Sequence, residues 1–520
     1  MSQLTGVHRP RDQRRPGPDG PARPAGAPGR RGHEPGPAVD PARWPDVARV
    51  PRAAGRAAVA RLLFTTVAAR LGIRVQLPGG RVLASPAAGP PATGTPGTGT
   101  PATGTPVTGT PGTGTPAMGT PATGTPGTGT PAGRTPTMYL WRPADFFRRV
   151  GAAGLIGFGE SYMAGDWDSD DLPGLLTSMA EHMDRLVPRW LQWLRAAYVA
   201  RPPADWDADP EGARRNVRQH YDLSNDMFAL FLDETMTYSA ALFEREPGRL
   251  RPAPATVAPA DTLAAAQRRK IDRILDIAGV GPGCRVLEIG TGWGELAIRA
   301  AGRGARVLSI TVSAEQRALA RRRIAAAGLA DRVAVELRDY REVTGQFDAI
   351  VSVEMVEAVA ERYWPEYFAT LDRLLAPGGR IGLQSITMAH DRMMATRRTQ
   401  TWILKYIFPG GLIPSVTAIE QNLRAHTTLE ITGRRDFGQH YARTLQIWRD
   451  RFGAAAGDLD WLGFDGVFRR MWELYLAYSE AGFRSGYLQV SQFLLTRAVT
   501  AADPRAAWLC DPGPETGVAA

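Results

Sequence analysis

The sequence predicts an α/β protein whose C-terminal part is a doubly wound, mostly parallel sheet, preceded by a smaller α+β domain. Three observations carry that expectation. The first is Val286-Leu-Glu-Ile-Gly-Thr-Gly-Trp-Gly-Glu-Leu-Ala-Ile-Arg299. A short apolar run (285–289) reads as a buried strand, Gly290, Gly292 and Gly294 read as a tight turn, and Glu295 opens a helix. The second is a regular alternation downstream: helix 295–302, strand 306–310, helix 314–327, strand 332–337, strand 348–353, helix 364–375 and strand 380–386. That alternation requires right-handed crossovers in a parallel sheet. The third is the upstream texture, where helical spacing, a short hairpin and further helical segments occupy residues 58–200.

Residues 1–57 lack apolar periodicity and hold 11 Arg against 5 Asp or Glu, so they read as a disordered Arg/Pro/Gly-rich tail. From there Val59, Leu62, Leu63, Val67, Ala68 and Leu71 fall at helical spacing, and 73–83 reads as a hairpin with Pro-Gly-Gly at its turn. Nine Pro-x-x-x-Thr units then run from Pro91 to Thr135. They offer nothing to bury, so residues 86–136 are expected to be a flexible insertion, with a short-unit β-solenoid as the alternative. Met138-Tyr-Leu-Trp141 resumes a strand, which places the insertion inside a domain, where a long loop costs little closure entropy. Residues 142–200 look helical, with a glycine-rich turn at 157–167 and renewed helical spacing over Leu175–Leu194. A linker at 201–215 leads to the second domain, 216–500, in which helix Leu263–Ala278 precedes the glycine turn; 501–520 is a flexible tail. Within the second domain, Trp402-Ile-Leu-Lys-Tyr-Ile-Phe-Pro-Gly-Gly-Leu-Ile-Pro414 breaks the rhythm and reads either as a lid or lipid-facing wall, or as a core helix with a turn.

The glycine turn has the chemistry of a nucleotide-type site, because glycines let backbone approach a ligand and a helix N-terminus presents free N–H groups. A dinucleotide fingerprint is excluded: its third glycine would fall at Glu295, and the next strand ends in Thr311 and Ser313, not in an acid. Glu288 instead gives Glu-x-Gly-x-Gly-x-Gly, which resembles the S-adenosylmethionine (SAM) loop of Rossmann-like class I methyltransferases. An acid there accepts hydrogen bonds from the methionine ammonium. Glu288, Thr311, Asp339 and Glu357 all fall at or just after strand ends, which is where one shared cleft forms in such sheets.

Composition narrows the alternatives. No run of 18 apolar residues marks a membrane span, and no apolar segment follows the N-terminal arginines to make an export signal. Cys284 and Cys510 make no disulfide framework, so a cytoplasmic setting is expected, and no metal site is assigned. The net charge of +10 favours an anionic partner; in the absence of any nucleic-acid module, lipid is expected over nucleic acid.

Several segments together resemble the cyclopropane-fatty-acyl-phospholipid synthase and mycolic acid cyclopropane synthase family. They are His220-Tyr-Asp-Leu-Ser-Asn-Asp226, Phe231-Leu-Asp-Glu-Thr-Met-Thr-Tyr-Ser239, the Glu288–Gly294 loop, Tyr406-Ile-Phe-Pro-Gly-Gly411 and His440-Tyr-Ala-Arg-Thr-Leu445. The resemblance implies methyl transfer from SAM to the cis double bond of an acyl chain on a phospholipid in the inner leaflet. The enzyme would then be cytoplasmic and peripherally membrane-associated, with a partner reductase and oligomers left open. It implies Tyr238, Ser239, Glu288, Gly290, Gly292, Trp293 and Gly294 around the methionine end, Thr311, Ser313 and Gln316 at the ribose, and Asp339 and Tyr340 near the adenine. A helix N-cap is the plain alternative for Thr311 and Ser313. Tyr238, Trp293, Tyr363 and Tyr441 are the aromatic faces expected to tolerate passing positive charge.

Carried over the same way, a bicarbonate that takes the proton would be held by Glu357, Tyr441 and the backbone of Ile386. Three family positions differ: a cysteine becomes Ala240, a histidine becomes Gln384 and a second cysteine becomes Ser479. No thiol is therefore available at the expected centre. The cation gives a cyclopropane ring by one loss of a proton and a mid-chain methylene branch by another. Glu-Met-Val-Glu-Ala-Val with Gln384 resembles the methylene branch, and the product stays open. A catalytically impaired lipid-binding protein and a heteroatom methyltransferase remain as further readings.

Overall fold

The computed structural model describes residues 36–84, 136–182, 224–244 and 262–497. Expectations outside these spans, namely the first part of the tail, the repeat insertion, helical spacing beyond 182, the linker, residues 220–223 and the C-terminal tail, lie outside the described residues.

The N-terminal sheet runs β2-β1-β3-β4, with β1 Arg74–Gln76, β2 Val82–Ala84, β3 Thr137–Leu140 and β4 Trp167–Ser169. Strands β1 and β2 form the antiparallel hairpin read from the sequence, and β3 lies parallel to β1 with Arg74 opposite Thr137. Strands on both sides of the repeat tract thus belong to one sheet.

Two local expectations are corrected. The chain is already structured before residue 57: helices Pro45–Ala48 and Ala54–Arg70 form, and Trp44, 3% exposed, donates Nε1–H to Asp465 at 2.8 Å. Trp44 and Val47 are too few to show a period, and their anchor lies more than 400 positions away. The expected turn at 157–167 is mostly the second half of helix Pro143–Ala164, bent at Gly154 (φ 56°, ψ −126°) and closed by Gly165 (φ 78°). Its glycines serve close approach instead of turning. A Cβ on Gly159 would stand 2.3 Å from the indole of Trp402. That contact also places the first part of the 402–414 segment. Helix Trp402–Tyr406 docks as core, with Lys405 Nζ and Tyr406 Oη donating to the buried Glu160 carboxylate at 2.6 and 2.9 Å.

The second sheet has the order β10-β11-β9-β8-β5-β6-β7. Its members are β5 Arg285–Ile289, β6 Arg306–Thr311, β7 Val333–Leu337, β8 Phe347–Val353, β9 Leu375–Met388, β10 Leu429–Asp436 and β11 Leu488–Arg497. Strands β5 to β9 are parallel, whereas β11 runs antiparallel to both β9 and β10. The sequence pattern does not announce these last two strands, since β10 is an edge strand whose apolar side chains are few and β11 carries Gln, Ser and Thr among its residues.

The chain leaves β5 through β6 and β7, then returns to place β8 on the other side of β5. Strand order therefore reverses between β5 and β8, and the crevice at their carboxyl ends is where this architecture holds ligands. Over that crevice lie helices Gly438–Ala454 and Gly466–Arg484. The second of these also clamps the N-terminal domain: Arg470 donates to the carbonyls of Tyr162 (2.6 Å) and Trp167 (2.8 Å).

Gly159→Ala should test the tight docking of Trp402. The added methyl has no room, so a loss of about 1–3 kcal/mol is expected in denaturant unfolding, with the lowered midpoint accompanied by an altered Trp402 fluorescence environment.

Candidate functional site

The glycine loop departs from β5 with Gly290, Gly292 and Gly294 at φ 95°, 51° and 92°, a left-handed path that side chains resist. The three glycines have different duties. A Cβ at Gly290 would meet Met355 Sδ at 2.6 Å and one at Gly294 would press on Ala320 at 3.1 Å, whereas nothing lies within 4 Å of a Cβ at Gly292. Gly292 is therefore the point of the loop left open for a ligand to approach. Beneath it the Ser309 hydroxyl bridges the Glu288 carboxyl and Thr291. Burial pushes the Glu288 carboxyl up to about 8, with the Ser309 hydrogen bond and Lys270 acting in the other direction.

The remaining residues expected around SAM are distributed along the carboxyl edge of the sheet. At the end of β6 the Thr311 hydroxyl bonds Gln316 Oε1 at 2.8 Å, and Ser313 caps helix Ala314–Ala326 by accepting from Gln316 N. The N-cap reading of Ser313 is thus realised. After β7, Asp339 takes a two-pronged ion pair from Arg341 at 2.8 Å, and Arg341 also lies against the rings of Tyr340 and Tyr363. Tyr363 is placed with that guanidinium and makes no bond to Glu354 or Glu357. Trp293 donates to Asn225 Oδ1 at 2.7 Å and packs on Phe228, whose other edge meets Tyr238. Tyr238 in turn pairs its hydroxyl with that of Tyr475 at 2.6 Å. Ser239 accepts from the Lys270 ammonium at 2.6 Å. Ser479 lies one helical turn beyond Tyr475, and none of these bonds involves it. His440 accepts from the Phe243 amide, a structural duty.

Just past β8 sits a residue to which sequence reasoning gives no role. Glu354 adopts φ 53° and turns a partly buried side chain toward the helices above. Its Oε1 accepts from Ala240 N (3.0 Å) and Gln384 Nε2 (2.8 Å), and its Oε2 accepts from the Tyr441 hydroxyl (2.8 Å). The direction of these bonds is fixed from a distance. Arg273, which can only donate, bonds Gln492 Oε1 at 2.6 Å; Gln492 Nε2 donates to Gln384 Oε1 at 3.0 Å; the Gln384 amide is thereby aimed at Glu354. A surface cleft of about 690 Å³, lined by Arg268, Arg269, Arg273 and Arg435 among others, opens on the far side of Gln492 and does not belong to this centre.

Glu357, the expected site carboxylate, lies nearby but is held differently. Its Oε1 accepts from the Ile386 amide and from Ser385 Oγ (3.0 Å), while its buried Oε2 has no hydrogen-bond partner among the described residues. Burial first, then the neighbouring charge of Glu354, pushes the Glu357 carboxyl up to about 8. Glu354 is also raised by burial, but two amide donors, the Tyr441 hydroxyl and the Lys270 ammonium all favour its ionised form. Two carboxyls this close do not both ionise, and the one with three donors keeps the charge. Lys270 is itself lowered to about 8 by burial, against the pull of Glu354, Asp233 and Glu288.

Bicarbonate does not fit this arrangement. The donors expected to hold it, the Tyr441 hydroxyl, the Ile386 amide and the residue at position 384, already bond carboxylates of the chain itself, and the Ala240 amide does so as well.

A mostly parallel sheet with its switch point beside a Glu-x-Gly-x-Gly-x-Gly turn, roofed by aromatic helices, is the architecture of a SAM-dependent methyltransferase, and the relatives below make it a C-methyltransferase. The chain belongs to the mycolic acid cyclopropane synthetase family, whose profile matches residues 209–493. It is 50% identical over 466 residues to the tuberculostearic acid methyltransferase UfaA1 of Mycobacterium tuberculosis, covering 89% of this chain and 97% of that one. With the cyclopropane-fatty-acyl-phospholipid synthase of Escherichia coli it shares 35% identity over 363 residues, 68% of this chain and 86% of that one. Among solved structures, the cyclopropane synthase MmaA2 of M. tuberculosis is similar at 32% identity and a TM-score of 0.48, covering 54% of this chain and 97% of that one.

A cation bound over Glu288 favours its ionised form, so below pH 8 SAM binding should expel a proton. Affinity should rise with pH and level off above about 8. Calorimetric titrations in buffers of different ionisation enthalpy measure that release directly, and Glu288→Gln should abolish it.

Proposed function

We propose that the protein methylates the cis double bond of an unsaturated fatty acyl chain, presented on a phospholipid at the inner leaflet, and that its product is a mid-chain methylene branch. SAM supplies the methyl group. The loop residues Glu288 to Gly294 hold its methionine end, Thr311 and Gln316 the ribose, and Asp339 the adenine side. Tyr238, Trp293 and Tyr441 offer aromatic faces to the cationic charge as it passes to the substrate. No helix among the described residues is long and apolar enough to cross a membrane. The lipid is therefore reached from the surface, with the protein's net positive charge favouring anionic headgroups.

The observation that supports the methylene branch over the ring is the coupling of two residues in the pattern that resembles that branch, Glu-Met-Val-Glu-Ala-Val with Gln384. The carboxylate at 354 and the amide at 384 bond each other at 2.8 Å, so they shape the proton-accepting corner of the site as one unit. The extensive likeness to a relative named for tuberculostearic acid points the same way. A methylene product needs a reductase to become a saturated methyl branch, and such a partner is part of the proposal.

Purified protein, SAM and vesicles of anionic phospholipid with cis-unsaturated chains test it. The acyl chain should gain one methylene unit in mass, and proton NMR of the extracted lipid should show a terminal vinylidene signal with the internal alkene lost. Upfield ring protons in its place would return the cyclopropane reading; mass gain on a heteroatom metabolite, with lipid untouched, would dismiss both.

A further inference from the structure

Among the buried groups beside the glycine loop is one carboxylate that has no counterpart in the expected ligand set and that occupies the donors meant for an external anion. We propose that Glu354 is the resident proton acceptor of the reaction, a catalytic base built into the chain in place of an exchangeable bicarbonate. The inference rests on the reading of the protein as an alkene methyltransferase.

Geometry supports it in three ways. First, the oxygens of Glu354 sit where two amide donors and the Tyr441 hydroxyl converge from elements far apart in the chain, 240, 384 and 441. An ionised acceptor satisfies all three, and the relay from Arg273 through Gln492 keeps Gln384 facing it as a donor. Second, the carboxylate is next to the methyl-donor loop: Met355, its neighbour in sequence, packs on Gly290, and Ala240, which donates to it, follows Tyr238 and Ser239. Third, the backbone at 354 is left-handed (φ 53°), a path a glutamate takes only at a cost, and strain of this sort is kept where surrounding bonds impose it. The ionisable groups in its field are Lys270, the one cation, and Glu357; Lys270 in turn feels Asp233 and Glu288.

The step balances without any further reagent. The alkene π pair forms a carbon–carbon bond to the sulfonium methyl while the carbon–sulfur bond breaks toward sulfur, leaving a neutral thioether and a carbocation on the adjacent chain carbon. A 1,2-hydride shift moves the charge to the methyl-bearing carbon. A C–H bond of the new methyl then breaks, its pair forms the double bond of a methylene (C=CH2) branch on the open chain, and its proton goes to Glu354. Without the shift, the same proton loss closes a ring. Glu354 accepts the proton in either outcome: Oε1 takes two donors and Oε2 one, which leaves a lone pair of Oε2 for it.

The decisive variants are Glu354→Gln, which keeps size and removes basicity, and Glu354→Gly, which relaxes the left-handed backbone and empties the anion corner. Wild-type turnover should be unchanged in carbon dioxide-free buffer, Glu354→Gln should lose about a hundredfold or more, and Glu354→Gly should be inactive until bicarbonate is added and then recover in proportion to it. SAM binding by calorimetry should persist in both variants, which reports that they fold. Independently of turnover, ¹³C-bicarbonate NMR should show binding to Glu354→Gly and none to the wild type. Wild-type dependence on bicarbonate, wild-type binding of the labelled anion, or full activity of Glu354→Gln would overturn the proposal. Because the labelled-anion measurement needs no acyl substrate, failure of acyl methylation and failure of Glu354 as the anion's replacement are read separately.

Discussion

The hydrogen bonds converging on the Glu354 carboxylate are the constraint to which the rest of the centre conforms. A charge drawn largely out of water loses hydration that must be replaced, and it persists in place only if donors take over. Here those donors are an amide from the loop after Ser239, an amide side chain from β9 and a hydroxyl from helix Gly438–Ala454. Charge-assisted bonds of this kind contribute about 1.5–3 kcal/mol each, so three are of the size needed and one would not be. The loop, the sheet and the roof are consequently tied to a single point. The Thr444 hydroxyl and His440 imidazole, which receive the Ala241 and Phe243 amides, secure the same loop one turn further along.

Neighbouring ionisable groups adjust to that charge. Glu357 lies in the field of Glu354 with one oxygen unpartnered, so it is held as a neutral acid. Glu288, buried beneath the glycine loop, is likewise neutral until a cation arrives above it. One buried ammonium, Lys270, faces Glu354, Asp233 and Glu288 together.

The parts of the centre that are legible in the sequence are the local ones. The β5 turn is written in three alternating glycines, and the structure gives each a left-handed φ. The strand–helix alternation through β9 is likewise readable, since parallel strands buried on both faces are continuous apolar runs. Features encoded at long range escape such a reading. Trp44 meets Asp465, and Gly159 meets Trp402, and neither pairing leaves a period. The helix containing Gly157 and Gly159 has the sequence texture of a turn because glycine usually breaks helices, whereas here it lets two elements approach. Glu354 sits in a recognisable motif without any local sign of its task, since its donors come from 114 positions upstream and 30 and 87 downstream.

The same geometry explains why residues 240, 354 and 384 form one set. A histidine at 384 would titrate near neutrality and exchange donor for acceptor roles with its tautomer; beside a fixed carboxylate it would compete for the very proton the site must collect. The amide of Gln384 is a donor at every pH, and Gln492 prevents it from turning over. Position 240 contributes only its backbone N–H, so the side chain there is free to shrink to a buried methyl. A carboxylate on the chain needs a neutral, oriented donor where a mobile anion would be served by a titratable one. The identity of residue 384 therefore follows from the presence of residue 354, and neither residue is intelligible alone.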